Sequence, residues 1–202
     1  MKNLVRFAVC IGLVMIMGGR VYARQSAHPA TASPEDKTPP SYDMKAQAIL
    51  DLEQMQDKFS KLAEAIPQDK FSWRPSADIR SISELFLHVA GSGFFFPTMK
   101  GAAPAPGFTP KDFEKSTTDK AKIIEWLNKS FAYDIASVQG MSNADFAAPL
   151  PKLGPDANQG DVVYLLVSHA HEQLGIAIAY SRSVGVVPPW TADALKKKAK
   201  TP

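Results

Sequence analysis

Histidine is the residue whose placement carries most chemical information in this chain. Four occur among 202 residues; His88, His169 and His171 lie within apolar segments, whereas His28 sits in a proline-rich stretch. A buried imidazole must find partners for both ring nitrogens, and a metal ion is one such partner. A core histidine satisfied by ordinary hydrogen bonds is the other reading of the same pattern. His169 and Gln173 are four residues apart and so share one helix face, but His171 is turned by about 200° from His169. His169 and His171 are therefore not expected to hold one ion together. If His88 faces His169, two imidazoles and the Gln173 carboxamide oxygen form a ligand set. It falls short of the three protein ligands usual for catalytic Zn²⁺, because a neutral amide oxygen is a weak donor to that ion. Glu172 is a candidate general base, with a solvent-exposed helical glutamate as the alternative. Ser168 directly precedes His169, yet helical neighbours diverge by about 100°, which argues against a serine nucleophile with its base. Phe94, Phe95 and Phe96 could line an apolar pocket or simply belong to the core.

Four helical patterns position these side chains. In the first, Ile49, Leu52, Met55, Phe59, Leu62 and Ile66 recur every three or four residues, which predicts a helix over 42–65 that stops at Pro67. The second opens at Ser81-Ile82-Ser83-Glu84, a capping-box pattern, and carries His88 before the aromatic triplet, where Pro97 kinks or ends it. A Gly-, Ala- and Pro-rich loop over 101–110 leads to a third helix over 118–138, with Gly140 as a C-cap. The fourth, over 159–184, is apolar on nearly every side and is expected to be the most buried. Gly185 and Pro188-Pro189 end it. With no alternating strand pattern between them, the four make an all-α four-helix bundle over 42–191.

The ends of the chain read differently. Lys2 and Arg6 precede an apolar run from Phe7 to Met17, and Val21 and Ala23 suit cleavage after Ala23, so residues 1–23 are expected to be a secretory signal. The run is short of the roughly 20 residues a bilayer span requires. No stable membrane span is expected after cleavage. Residues 24–41 contain no large apolar side chain and read as a flexible, disordered leader, and 192–202 as a solvated basic tail. Together these predict an exported protein, periplasmic or secreted. Loss of 1–23 removes Lys2, Arg6 and Arg20, which leaves 20 basic against 20 acidic residues. A neutral mature chain gives no electrostatic case for nucleic acid. Cys10, the sole cysteine, leaves with the signal, which excludes disulfides, thiolate ligands and cysteine catalysis. No Walker or GxGxxG loop is present to cradle phosphates.

Two separated motifs carry a family resemblance. Trp73-Arg74-Pro75 followed by Arg80-Ser81 and His88-Val89-Ala90 resembles the opening of the second helix in DinB-like proteins. His169-Ala170-His171-Glu172-Gln173-Leu174-Gly175, continuing through Tyr180, Arg182, Gly185 and Pro188-Pro189-Trp190, is similar to that family's fourth helix and its exit. The resemblance implies a four-helix bundle, often a homodimer, that holds a divalent ion such as Zn²⁺, Ni²⁺ or Mn²⁺ with three histidines. It also implies a small-molecule ligand, in some relatives the substrate of a thiol-dependent transferase or isomerase. Carried over residue by residue, the first two ligands fall on His88 and His169, and the third on Gln173. The glutamine that usually follows the glycine is Ile176 here. His171 would substitute for the missing ligand only if the helix were locally distorted, as by a π-bulge. The resemblance therefore supports the bundle more strongly than metal-dependent catalysis, and a non-catalytic binding or structural bundle with a degenerate metal site is the alternative.

Overall fold

Local sequence signals set the ends of each helix in the computed structural model, which describes residues 43–200. The expected export signal and leader lie outside the described residues. Helix α1 is Met44–Ala65; the Asp43 side chain accepts from the Ala46 amide at its start, and it ends before Pro67, which has no amide hydrogen to continue it. Leu52, Met55, Phe59 and Leu62 are buried along its predicted stripe. Helix α2 is Ile82–Met99, opened by the Ser81–Glu84 capping box in which each residue's side chain accepts from the other's amide. Pro97 lies inside α2, and the helix runs on to Met99. Helix α3 is Lys120–Gln139, capped by Asp119 and closed at Gly140. Helix α5, Gln159–Ser183, opens on an Asn158–Asp161 capping box. It ends where Gly185 adopts φ of 82°, which lets the Val186 amide donate to the Ser181 carbonyl at 2.8 Å and the Gly185 amide donate to that of Arg182 at 3.0 Å.

Two short helices complete the set. Helix α4 is Asn143–Ala147. Helix α6 is Pro189–Ala199, so the segment read as a basic tail from 192 lies largely within a helix. Pro189 occupies its first turn, where a missing amide hydrogen costs nothing, and Lys196, Lys197 and Lys198 fall in the last turn, the favourable end of the helix dipole for cations. The described residues contain no strand, only an isolated bridge between Pro149 and Asn158.

The four long helices form the bundle. Helices α1 and α2 each pack against both α3 and α5, so α1 and α2 face each other across one diagonal. Phe59, Phe86, Leu62, Leu87, Ile123 and Leu127 fill the centre, each contributing about 1.5–3 kcal/mol by leaving water. The expectation that the last long helix would be the most buried is corrected. Ten of the 18 residues of α2 are buried against eight of the 25 of α5, which leaves Tyr164 73% exposed. The reason is coverage: α2 lies along α3 in the most extensive helix contact and under a 3₁₀ turn, Phe113–Lys115, whereas α5 meets α1, α2 and the short α4 over less of its greater length. Helix α5 has the length and apolarity of a membrane span, but here it packs against α1 and α2.

Candidate metal site

Along the seam where α2 meets α5, each helix presents one histidine to the other. The rings of His88 and His169 have centres 5.2 Å apart, with planes inclined at 70°. Zinc sits about 2.05 Å from an imidazole nitrogen, which puts each ring centre roughly 3.2 Å from the ion, so two imidazoles at a tetrahedral angle have centres about 5.2 Å apart. The observed separation matches that distance, which is also the spacing of an ordinary edge-on ring contact. The same seam joins the two motifs of the sequence a second time, since Trp73 packs edge-on against Tyr180 with ring centres 5.6 Å apart.

His88 is oriented by a residue that the sequence reading missed. Glu114 Oε1 lies 2.7 Å from His88 Nδ1, and Arg80 grips the same carboxylate, with Nε 2.6 Å from Oε2 and Nη2 3.2 Å from Oε1. Burial opposes the charge on Glu114, but the bonds from Arg80 and His88 outweigh it and hold the carboxyl below its ordinary value of 4.5. This carboxylate stays ionised, engages Nδ1 and leaves Nε2 of His88 as the nitrogen available to an ion, an arrangement common behind metal-bound histidines. Glu114 reaches this place because Phe113, next to it in the 3₁₀ turn, is buried among aromatics. Its ring meets Phe108 at 5.0 Å and Trp126 at 5.2 Å, and Phe94 lies at 6.4 Å.

His169 is half-buried and packs edge-on against Phe96 at 5.3 Å. Its Nε2 is sealed from solvent and has no hydrogen-bond partner. Burial, helped by the neighbouring His88, lowers its proton affinity below the ordinary 6.5, with Glu172 acting in the opposite direction. That favours the neutral imidazole, the form that binds metals. Gln173 lies one turn further along α5, on the face of His169, and is buried at 7% exposure. Glu172 is exposed beside this face, and His171 is exposed on another side of α5, as the 200° rotation requires. Among the described residues no group of three or more His, Cys, Asp or Glu is placed to hold an ion.

The aromatic triplet divides, as successive helical residues must. Phe94 is core, Phe96 packs on His169, and Phe95 is 52% exposed. Of the three, only Phe95 lines the open cavity of about 210 Å³ beside His88, together with Ser92, Phe108, Phe113 and Glu114. Ser168 donates to the Leu165 carbonyl of its own helix at 3.2 Å and has no part in the pair.

An all-helical bundle with an imidazole pair set into one of its seams defines the class: a helical scaffold with an internal polar site built from facing helices. The chain belongs to the DinB superfamily. The DinB_2 family profile matches residues 51–177, from α1 into α5, and so takes in His88, His169 and Gln173. A comparison with curated proteins finds no match.

Proposed function

We propose that this is an exported DinB-like protein, periplasmic or secreted, that binds a divalent ion through His88, His169 and Gln173 and acts as an enzyme on a small molecule. The 5.2 Å separation of the two imidazoles supports this reading above all else. Zn²⁺, Ni²⁺ or Mn²⁺ bound there would supply Lewis acidity, lowering the pKa of a water or substrate thiol. The thiol alternative corresponds to a transferase-type reaction.

The chain's own residues have distinct tasks in this scheme. Glu114, held by Arg80, fixes the His88 ring in one orientation. The 210 Å³ cavity beside it accepts an apolar portion of the substrate against Phe95, Phe108 and Phe113. Glu172, exposed next to the histidine pair, carries protons to and from solvent. The working unit in this scheme is a homodimer.

The test is elemental analysis of untagged mature protein. Stoichiometric metal is expected, lost in His88→Ala and in His169→Ala while the helical signal persists. Metal near zero after incubation with Zn²⁺, Ni²⁺ and Mn²⁺ would overturn the reading. A second reading, a non-catalytic binding or structural bundle with a degenerate site, is favoured by the amide at position 173, because glutamine is a weak donor to these ions. Gln173→His separates the two. Tight binding created in that variant, where the natural protein has little, selects the degenerate site; tight binding already present in the natural protein rejects it.

A further inference from the structure

Asp134 is a carboxyl placed in the core. It sits on the inward face of α3 at 3% exposure, and its Oδ1 is sealed from solvent with no hydrogen-bond partner. The only other buried side-chain atom without a partner among the described residues is Nε2 of His169. These two groups come from different helices, yet both residues line the same small cavity at the centre of the bundle, with Gly93, Phe96, Leu166 and Ala170. The cavity offers about 10 Å³, room for a single water molecule and little else.

Buried polar atoms without partners are rare because each has given up a hydrogen bond to water and received nothing in exchange. Two of them on residues that line one water-sized space have a common solution. We infer that the cavity holds one ordered water molecule bridging Asp134 Oδ1 and His169 Nε2, and that Asp134 is thereby a positioning residue for the His169 ring. The bridge leaves Nδ1 as the nitrogen of His169 free for an ion or substrate on the seam with His88. It mirrors the arrangement at His88, where a carboxylate holds one ring nitrogen directly and leaves the other free.

The packing around Asp134 is shaped to admit it. Gly93 of α2 lies opposite, and a Cβ added there would collide with the Asp134 carboxyl and with Ser130 Oγ. Ser130 gives its one proton to the Ala90 carbonyl at 2.8 Å, so it has none to donate to Asp134 Oδ1. Burial drives the Asp134 carboxyl well above its ordinary 3.8, with Lys100 opposing, and the resulting neutral acid can donate to a water as well as accept from it.

The inference stands apart from metal binding and is tested on the metal-free full chain by ¹⁵N spectroscopy of the histidine rings. In the natural protein, one His169 tautomer should dominate, and cross-relaxation should connect a long-lived water to the His169 ring. Asp134→Asn, which keeps a donor and an acceptor, should retain both signatures. Asp134→Leu should lose the water contact and reduce the tautomer ratio about fivefold, the equilibrium value of one net hydrogen bond. Absence of the water contact in the natural protein, or a leucine variant with unchanged tautomer ratio, would overturn the bridge. If the leucine variant fails to fold, the water contact in the natural protein and its retention in Asp134→Asn decide the matter. Metal content plays no part in these readouts, so the bridge and the metal site can fail independently.

Discussion

Two glycines inside helices should respond in opposite ways to the same substitution, and the difference between them measures how tightly the Asp134 region is packed. An interior helical glycine replaced by alanine gains about 0.5–1 kcal/mol, because the unfolded chain loses freedom it would otherwise keep. At Gly175, on the exposed face of α5, an added Cβ has nothing within 4 Å. Gly175→Ala should realise that gain in full and raise the melting temperature by roughly 1–4 °C. At Gly93 the same methyl meets Ser130 Oγ and the Asp134 carboxyl, two buried groups that must shift to admit it. Overpacking of this kind costs about 1–3 kcal/mol. The helix term is common to both variants and cancels in their difference, so Gly93→Ala should melt about 2–12 °C below Gly175→Ala. Thermal melts followed by far-ultraviolet circular dichroism, with urea titrations in parallel, measure this directly. A Gly93→Ala protein that melts with or above Gly175→Ala would refute the close approach of α2 and α3 at this point, and with it the confined setting of Asp134.

Other consequences are open to measurement. The folded protein holds the Asp134 proton above the unfolded pKa of 3.8, so as pH rises past 3.8 the unfolded state loses a proton that the folded state keeps, and stability falls. Asp134→Asn removes that dependence; denaturant titrations from acid to neutral pH should show its advantage over the natural protein growing with pH, and a gap that stays constant would count against a buried acid. Glu114 has the opposite sign: its depressed pKa stabilises the fold above 4.5 and the benefit is lost as pH falls, so Glu114→Gln should flatten the acid limb of the stability curve. In titrations with Zn²⁺ or Ni²⁺, Glu114→Gln should also weaken binding by about 10–100-fold through loss of the bond that orients His88. An unchanged affinity would place the ion elsewhere.

What could be read from the chain followed from local rules. The stripes of α1 and α3, the Ser81–Glu84 capping box and the opposed directions of His169 and His171 depend only on helical pitch and on the free amides of a first turn. Asp134 was legible by the same rule and was passed over: it falls in phase with Phe131 and Val138, and an acid within an apolar stripe announces a buried polar group. Glu114 carried no such sign. It follows a Gly-, Ala- and Pro-rich loop, and its position depends on Phe113 docking among aromatics supplied by α2, α3 and the loop itself. The burial of α5 was overestimated because apolar composition does not say how much of a helix its neighbours will cover.

By itself, then, the sequence determined the four long helices, though not α4 or α6, and which way each side chain points around its own axis, since both are matters of a few consecutive residues. Which histidine meets which, what grips His88, and that Asp134 and His169 border one water-sized space were decided only when α2, α3 and α5 packed together. Those relations join residues distant along the chain, and helical periodicity cannot specify the partner that a face will find.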